Sequence, residues 1–263
     1  MNPPILQSRL PFAPWMDPRT ARLPGILPVE GDDWLRVDDA FAGQMAERDR
    51  LVAEKPALVA GMLDSAAPAA AELLADVLDH LRRTPGYVVG ADAVRRPDGV
   101  TVALDGPVMA VLARLVQEDL CLMEKAGEEH VLTAAALCFP ASWWLAEKLG
   151  RPLLGIHVPV PSYDDDVARR VQRLFDAIRP GQMLWRANAL VYRDPTLHQP
   201  RRETDPRTDR RGGSYVRSER QVLRRLPVSR AVVFSIHTWV VDIATLSAEE
   251  LAKIAEEFKK IIK

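Results

Sequence analysis

The stretch SYVRSERQVLRRLPVSRAVVFSIHTWVV, residues 214–241, contains the pattern from which the fold class follows. Two segments rich in β-branched and aromatic residues, 214–226 and 230–241, flank a short turn after Pro227. Such segments are typical of consecutive antiparallel strands. A helix over 214–226 is the alternative, and it would change every face assignment made for this segment. The stretch therefore predicts the centre of an antiparallel sheet.

Further strands and helices are predicted on the N-terminal side of this stretch. MLWRANALVY (183–192) reads as a strand, and LCLMEK (120–125) and HVLTAAALCF (130–139) read as a hairpin. The segments 141–149 and 163–178 are predicted helices between the hairpin and the three later strands. This order, with helices inserted after the second strand, predicts an α+β fold with a PAS-like antiparallel five-stranded sheet.

The remaining segments suggest four parts of the chain. Helices are predicted over 37–63, 68–83 and 107–117, and the final segment has a capping-box pattern at Ser247 and Glu250. The first 30 residues contain seven prolines together with Phe12 and Trp15, which favours an extended arm packed on the body. The expected organisation is an arm (1–30), a helical N-terminal region (31–117), the PAS-like domain (118–245) and an amphipathic C-terminal helix (246–263).

Composition excludes several classes of protein. The 263 residues are 48% hydrophobic and 27% charged with a net charge of −1, so nothing global points to nucleic acid or an anionic membrane. Two cysteines, Cys121 and Cys138, are too few for a disulfide framework or an all-cysteine metal site. No HExxH, Walker, GxGxxG or GxSxG motif occurs. With no leader-like N-terminus and no apolar run near 20 residues, we expect a cytoplasmic protein without a membrane segment.

Two arginines of the segment 216–226 are predicted on an apolar face. Strand alternation places Arg220 and Arg224 on the same side as Val222, with Glu219 and Gln221 on the other side. An unpaired buried charge costs several kcal/mol, so these arginines predict bound carboxylates or phosphates. The alternative is that both side chains extend to solvent at the sheet edge.

His157 lies within GRPLLGIHVPVP (150–161), a segment that reads as a buried strand ended by Pro159 and Pro161. Alternation places His157 on one face with Gly155, which leaves vacant space beside the imidazole. A core histidine bonded to backbone is the alternative to a ligand. The same two interpretations apply to His237.

Several blocks of this sequence resemble one known family. They are CFPASWWLAEKLGRPLLGIHVPVP (138–161), WRAN (185–188), SERQVLRRLP (218–227), DDWLRVDDAFAGQMAERDRLV (32–52) and EDLCLM (118–123). In this order and separation they are similar to the haem-dependent oxidative N-demethylase alpha-subunit family. The resemblance extends over roughly residues 12–245 and is most specific in the IHVPVP and ERQVLRRLP blocks.

The resemblance implies a PAS-like sheet that binds haem b and an alpha subunit that oxidises a secondary amine such as dimethylamine. Oxygen would be the oxidant, and the products would be a shorter amine and formaldehyde. The resemblance also implies that electrons come from NADPH through flavin and iron–sulfur partner subunits. A self-sufficient enzyme is not expected, because this chain carries no flavin, nicotinamide or iron–sulfur signature.

The same resemblance assigns expected roles to residues. His157 is the expected axial ligand of the iron. Arg220, Arg224 and Arg225 are expected to bind the haem propionates. Arg186, Asn188 and His237 complete the expected cofactor contacts, while Glu118, Asp119 and Glu219 are the expected partners of an ammonium substrate. His237 stands where the family more usually has arginine, so it either loses an anion contact or offers a rival axial ligand.

Two other functions remain open from the sequence. One is a PAS-like haem or small-molecule sensor without turnover, and the other is an assembly subunit that has lost haem. The Lys/Glu-rich helix after residue 245 is not expected to contribute to the site or to be a native part of the family domain.

Overall fold

The structure is a computed structural model that describes residues 3–21, 25–157, 165–206 and 212–261. Side chains are described for these residues except 157, 165–168 and 257–261. All residue statements below refer to this part of the chain. Within it, no helix is both long and apolar enough to cross a bilayer.

The fold is mixed α+β and is built on a seven-stranded antiparallel sheet. Its strands are β1 (Leu27–Pro28), β2 (Ala60–Met62), β6 (Asp119–Ala126), β7 (Glu129–Ala136), β8 (Met183–Tyr192), β9 (Tyr215–Arg225) and β10 (Val232–Asp242). Across the sheet they lie in the order β1-β8-β9-β10-β6-β7-β2. The prediction of strands rather than a helix at 214–226 is confirmed, as are the hairpin and the strand 183–192.

The strand count differs from the expected five. The five long strands β6 to β10 are the expected ones, and the two additional strands β1 and β2 pair with the free edges of β8 and β7. Both come from the N-terminal region and have only two and three residues, too few for an alternation pattern to be recognised. They cover backbone groups that an exposed sheet edge would leave unpaired.

A second sheet lies in the region expected to be helical. It has three short antiparallel strands, β3 (Val88–Val89), β4 (Ala93–Arg95) and β5 (Thr101–Ala103), in that order. Each has two or three residues, so the sequence pattern did not indicate them.

The helices fall into three groups along the described chain. The N-terminal group is α1 (Pro18–Ala21), α2 (Phe41–Glu54), α3 (Pro56–Val59), α4 (Ala67–Arg83) and α5 (Val108–Leu115). Between β7 and β8 lie α6 (Leu145–Lys148), α7 (Leu153–His157) and α8 (Asp165–Ala177), and α9 (Ala248–Ile261) ends the described chain. The predicted capping box is formed, since Ser247 and Glu250 each accept a backbone N–H hydrogen bond from the other.

The predicted strand at 150–161 is wrong. The chain makes a single antiparallel bridge to β7 at Pro152 and then turns into α7, where Ile156 N donates to Pro152 O at 3.0 Å. Leu153 and Ile156 are buried whereas Leu154 is 40% exposed, which is helical spacing and not strand alternation. A short apolar run fits either structure, which is why the pattern misled. Residues 158–161 lie outside the described residues.

The two faces of the main sheet are covered by different parts of the chain. One face packs on the N-terminal helices in a core that includes Trp34, Val222 and Val233, and we call it the Trp34 face. The opposite face carries Leu223 and Phe234 and packs on α6, α7 and α8, and we call it the insertion face. Residues of β9 therefore alternate between two environments built from separate segments.

Candidate functional site

Four polar side chains form a row on the insertion face of β8 and β9. Arg186 lies directly opposite Gln221, and Asn188 lies directly opposite Glu219. Directly opposite residues of antiparallel strands point to the same face. The register of the two strands therefore brings a guanidinium, a carboxylate and two amides together, and we call these four residues the polar row.

Hydrogen bonds connect the polar row from end to end. Arg186 Nη1 donates to Gln221 Oε1 at 2.9 Å, and Gln221 Nε2 donates to Glu219 Oε2 at 3.2 Å. Asn188 Nδ2 donates to the same carboxylate oxygen at 3.3 Å. Arg217 Nε reaches the other oxygen, Glu219 Oε1, at 3.2 Å. The guanidinium of Arg186 and the carboxylate of Glu219 are thus joined through an amide and not directly.

The centre of the insertion face is incompletely covered. Leu184, Leu190, Phe234 and Ile236 lie on this face beside the polar row, and each is only half-buried. Large apolar side chains at the centre of a closed core would be fully buried. This part of the face therefore offers an apolar surface with a few polar groups, which is the usual composition of a small-molecule site.

Arg186 carries a charge that the described residues do not pair. No carboxylate of the described chain lies within 4.0 Å of its guanidinium, and its side-chain hydrogen bond goes to the neutral amide of Gln221. Burial lowers the pKa of Arg186, and the charge of Glu219 offsets this only in part. A guanidinium in this condition is suited to bind a carboxylate or phosphate of a ligand.

Arg220 and Arg224 lie on the Trp34 face and have partners within the chain. Arg220 donates to the backbone oxygens of Trp34 and Asp33 at 3.2 and 2.6 Å. Arg224 pairs with Asp76 at 3.0 Å and stacks on the Trp34 ring at 4.1 Å. The sequence placed both arginines on an apolar face and predicted carboxylates or phosphates as their partners, and in the structure the chain's own Asp33 and Asp76 supply carboxylates. Their predicted role in binding propionates has no support from these contacts.

Arg225 lies on the insertion face but is also satisfied by the chain. Its guanidinium donates to the backbone oxygens of Ile178 at 2.7 Å, Arg230 at 2.6 Å and Phe175. Three carbonyl acceptors fix it against α8 and the β9–β10 turn. Arg225 therefore positions α8 on the sheet, in contrast to Arg186, which has one amide acceptor.

His237 and Glu118 form a buried cluster on the Trp34 face. His237 Nδ1 lies 2.8 Å from Glu118 Oε1, and its Nε2 lies 3.0 Å from Asp38 Oδ2. Burial alone lowers the pKa of His237, but the two carboxylates outweigh burial and raise it above the ordinary value. Both ring nitrogens are engaged by carboxylates, which favours the protonated imidazole and leaves neither nitrogen available for a metal.

Asp119 is fully buried and engaged with the chain. It pairs with Arg48 at 2.8 Å and accepts the backbone N–H groups of Cys138 and Phe139 at 2.8 and 2.9 Å. Glu118 likewise holds His237 and the backbone N–H of Arg36. Of the three predicted ammonium partners, only Glu219 lies in the polar row.

His157 is the last residue of α7, and its side chain lies outside the described residues. Its helix is held on the insertion face by Leu153 and Ile156. The vacancy expected beside Gly155 rested on the strand interpretation, which α7 replaces; a Cβ on Gly155 would make an ordinary van der Waals contact, 3.4 Å from Pro152 Cδ. Among described side chains, no group of three or more His, Cys, Asp or Glu could hold a metal ion.

Sequence reasoning missed three contributors to these arrangements. Gln221 was placed on the correct face but not recognised as a member of the site, although its spacing of two from Glu219 is a signal that could have found it. Asp33 and Trp34, which satisfy Arg220 and Arg224, come from a distant segment that carries no pairing signal.

One protein family matches this chain over almost its whole length. The sequence model of the family described as "Haem-dependent oxidative N-demethylase, alpha subunit-like" matches residues 25–263. The chain belongs to this family. The matched range includes α9, which the sequence analysis had set apart from the family domain.

Proposed function

We propose that this member of the family is the haem-binding catalytic subunit of an oxidative N-demethylase. In this proposal it oxidises a secondary amine of the dimethylamine type with O2, giving a shorter amine and formaldehyde. The family description supports the reaction class. The site described above supports the place at which the reaction would occur, the insertion face of the sheet.

The PAS-like assignment is part of the proposal. In the sheet, the five long strands follow the order third, fourth, fifth, first, second, counted along the chain from β6. The helices α6 to α8 are inserted between the second and third of them. This arrangement supports a ligand site between the inserted helices and the central strands.

The observation that carries the proposal is the unpaired charge of Arg186. Haem presents two carboxylates on an otherwise apolar ring. A partly buried guanidinium without a carboxylate partner in the described chain, beside Leu184, Leu190 and Phe234, fits that chemistry. We assign Arg186 to a haem propionate, and Asn188 to the same part of the site. Haem b, when bound, would supply the redox chemistry of the reaction.

His157 is our proposed axial ligand. Its helix lies on the insertion face, and His237, its rival in the sequence analysis, is held by two carboxylates on the Trp34 face. Neutral imidazole is a common haem ligand. The assignment therefore rests on the position of α7 and on the exclusion of His237.

Glu219 is our proposed partner for the amine. The carboxylates of Glu118 and Asp119 are buried against His237 and Arg48, whereas Glu219 lies in the polar row on the incompletely covered face. Its two oxygens are oriented by Arg217 and by the amides of Asn188 and Gln221. A fixed carboxylate can hold a small ammonium ion, and the apolar side chains around it exclude water.

The electrons are proposed to come from NADPH through flavin and iron–sulfur partner subunits. The description "alpha subunit-like" supports an assembly with other subunits. No further partner is proposed.

The test is the visible spectrum of protein purified from cells supplied with haem, followed by formaldehyde release from dimethylamine with an added reductant. We expect a Soret band and formaldehyde. His157→Ala should shift or abolish the band, and His237→Ala, the matched control, should leave its position unchanged. A band without formaldehyde for any secondary amine would identify a sensor or binding module. The absence of a band would identify a subunit without haem and end the proposal.

A further inference from the structure

Gln221 occupies the middle of the polar row and makes contact with both charged residues in it. It is 7% exposed and lies opposite Arg186 across the β8–β9 pair. Its amide oxygen accepts from Arg186 Nη1 at 2.9 Å, and its amide nitrogen donates to Glu219 Oε2 at 3.2 Å. Both functional atoms of the amide are therefore used within the row.

The orientation of this amide is fixed by its two neighbours. A guanidinium can only donate hydrogen bonds and a carboxylate can only accept them. The oxygen of Gln221 must therefore face Arg186, and the nitrogen must face Glu219. A glutamate at this position would instead pair with Arg186 and repel Glu219, and an apolar residue would leave the two charges free to approach each other.

The charges of the row and its neighbour do not balance. Arg186 and Arg217 contribute two positive charges, and Glu219 contributes one negative charge that Arg217 contacts at 3.2 Å. Gln221 satisfies one N–H of Arg186 without neutralising its charge. One positive charge therefore remains on a partly buried face, and an anionic ligand group would compensate it.

We infer that Gln221 is a positioning and specificity-determining residue that holds Arg186 in place, keeps it apart from Glu219, and so preserves its charge for a carboxylate of the ligand. The inference rests on the proposed function, because it takes haem as that ligand. The inference extends the proposed function because it makes an uncharged residue, Gln221, responsible for selecting a porphyrin that bears carboxylates. Gln221 acts through Arg186 and need not touch the ligand.

The test compares two porphyrins that differ only in this charge. Apo-protein is titrated with haem and with haem dimethyl ester, in which both propionates are esterified, and binding is followed by the Soret absorbance. Charge-assisted hydrogen bonds to a carboxylate predict that the wild type binds haem about tenfold or more tightly than the ester. Gln221→Glu should weaken haem binding and leave ester binding unchanged, so that the ratio falls towards one.

Two further variants keep the result interpretable. Arg186→Met removes the charge without adding a carboxylate and should reduce the ratio in the same way, even if Gln221→Glu folds poorly. Gln182→Glu adds the same negative charge at an exposed position in the turn before β8 and should leave the ratio unchanged. Circular dichroism checks that each variant is folded.

Each outcome decides a different point. A wild-type preference for haem that Gln221→Glu does not alter overturns the role of Gln221. A Soret band with no preference between the two porphyrins overturns it as well but leaves the haem proposal standing. No band with either porphyrin overturns the proposed function together with this inference.

Discussion

The arginines of the neighbouring strands β8 and β9 differ in how completely the described chain satisfies them. On the Trp34 face, Arg220 and Arg224 are held by carbonyls, carboxylates and an aromatic ring from the N-terminal region. On the insertion face, Arg186 of the neighbouring strand has one amide partner and no carboxylate within 4.0 Å among the described residues. Both kinds of arginine come from strands that read alike in the sequence.

A buried arginine therefore indicates a ligand only when the chain does not supply its partners. Removing a satisfied guanidinium leaves unpaired acceptors and costs stability. Removing an unsatisfied one relieves an uncompensated charge. Replacement by methionine should therefore cost stability at Arg220 and have little effect at Arg186, and the predictions below use this contrast.

The largest effect is expected for Trp34→Ala on the Trp34 face. Trp34 is fully buried, its Nε1 donates to Ser235 Oγ at 3.1 Å, and Arg224 stacks on its ring. Loss of this packing should reduce the free energy of unfolding by about 3–5 kcal/mol. Phe234→Ala, on the insertion face, removes a half-buried ring and should cost about 1–2 kcal/mol. Urea unfolding measures the free energy of unfolding of both variants, and equal losses would contradict the difference in packing between the two faces.

The next effect is expected for Arg220→Met. The backbone oxygens of Trp34 and Asp33 would lose their donor in a buried environment, so the free energy of unfolding should fall by about 3 kcal/mol. Haem affinity of the folded fraction should stay within about twofold of the wild type, a change below about 0.4 kcal/mol. Denaturant unfolding and Soret titration measure the two quantities. A variant of wild-type stability that loses haem would place the ligand on the Trp34 face.

A smaller, pH-dependent effect is expected for His237→Gln. Because the folded pKa of His237 is raised, the imidazolium contributes stability fully below its unfolded pKa of about 6.5 and loses it as pH rises through the folded value. Burial alone raises the pKa of Asp38, but the hydrogen bond and charge of His237 together with the hydrogen bonds from Gln117 and Gln7 outweigh it and lower the pKa, so this carboxylate contributes above about pH 4 and loses its contribution on acidification.

The difference in unfolding free energy between wild type and His237→Gln should therefore be greatest between about pH 4 and 6.5, near 2 kcal/mol, and should shrink at alkaline pH. Urea unfolding at several pH values tests this. A difference that grows with rising pH would show that His237 is neutral in the folded protein.

The smallest effect on stability is expected for Arg186→Met. Since the described chain gives this guanidinium no carboxylate, its loss should change the free energy of unfolding of the apo-protein by less than about 0.5 kcal/mol, or raise it slightly. Thermal and urea unfolding measure this. A loss as large as that of Arg220→Met would mean that Arg186 is a structural residue and would remove the contrast between the faces.

Much of the sheet could be predicted from the sequence because the long strands carry their own pattern. The bounds of β8 were predicted to the residue, and those of β9 and β10 within one or two residues. Strands of two or three residues, such as β1 and β2, are set by the neighbours that they pair with and left no pattern. The stretch 150–161 failed because five apolar positions satisfy both a strand and a short helix, and only tertiary packing distinguishes them.

The sequence predicted on which face of the sheet each of these residues lies, but not which groups its side chain contacts. Strand alternation placed Arg220 and Glu219 on opposite sides of β9 correctly. It could not show that Asp33, almost 190 residues earlier in the chain, would satisfy Arg220, whereas Arg186 would have only Gln221 among the described residues. Whether a charge is paired depends on long-range contacts, and this is what separates a structural arginine from a candidate ligand-binding one.

The most direct test of the central claim is a Soret titration of haem into Arg186→Met and Arg220→Met side by side, under conditions in which both are folded. We expect Arg186→Met to weaken haem binding about tenfold or more at unchanged stability, and Arg220→Met to bind haem as the wild type does. Wild-type binding by Arg186→Met together with loss of binding by Arg220→Met would contradict it, because the ligand would then lie on the Trp34 face.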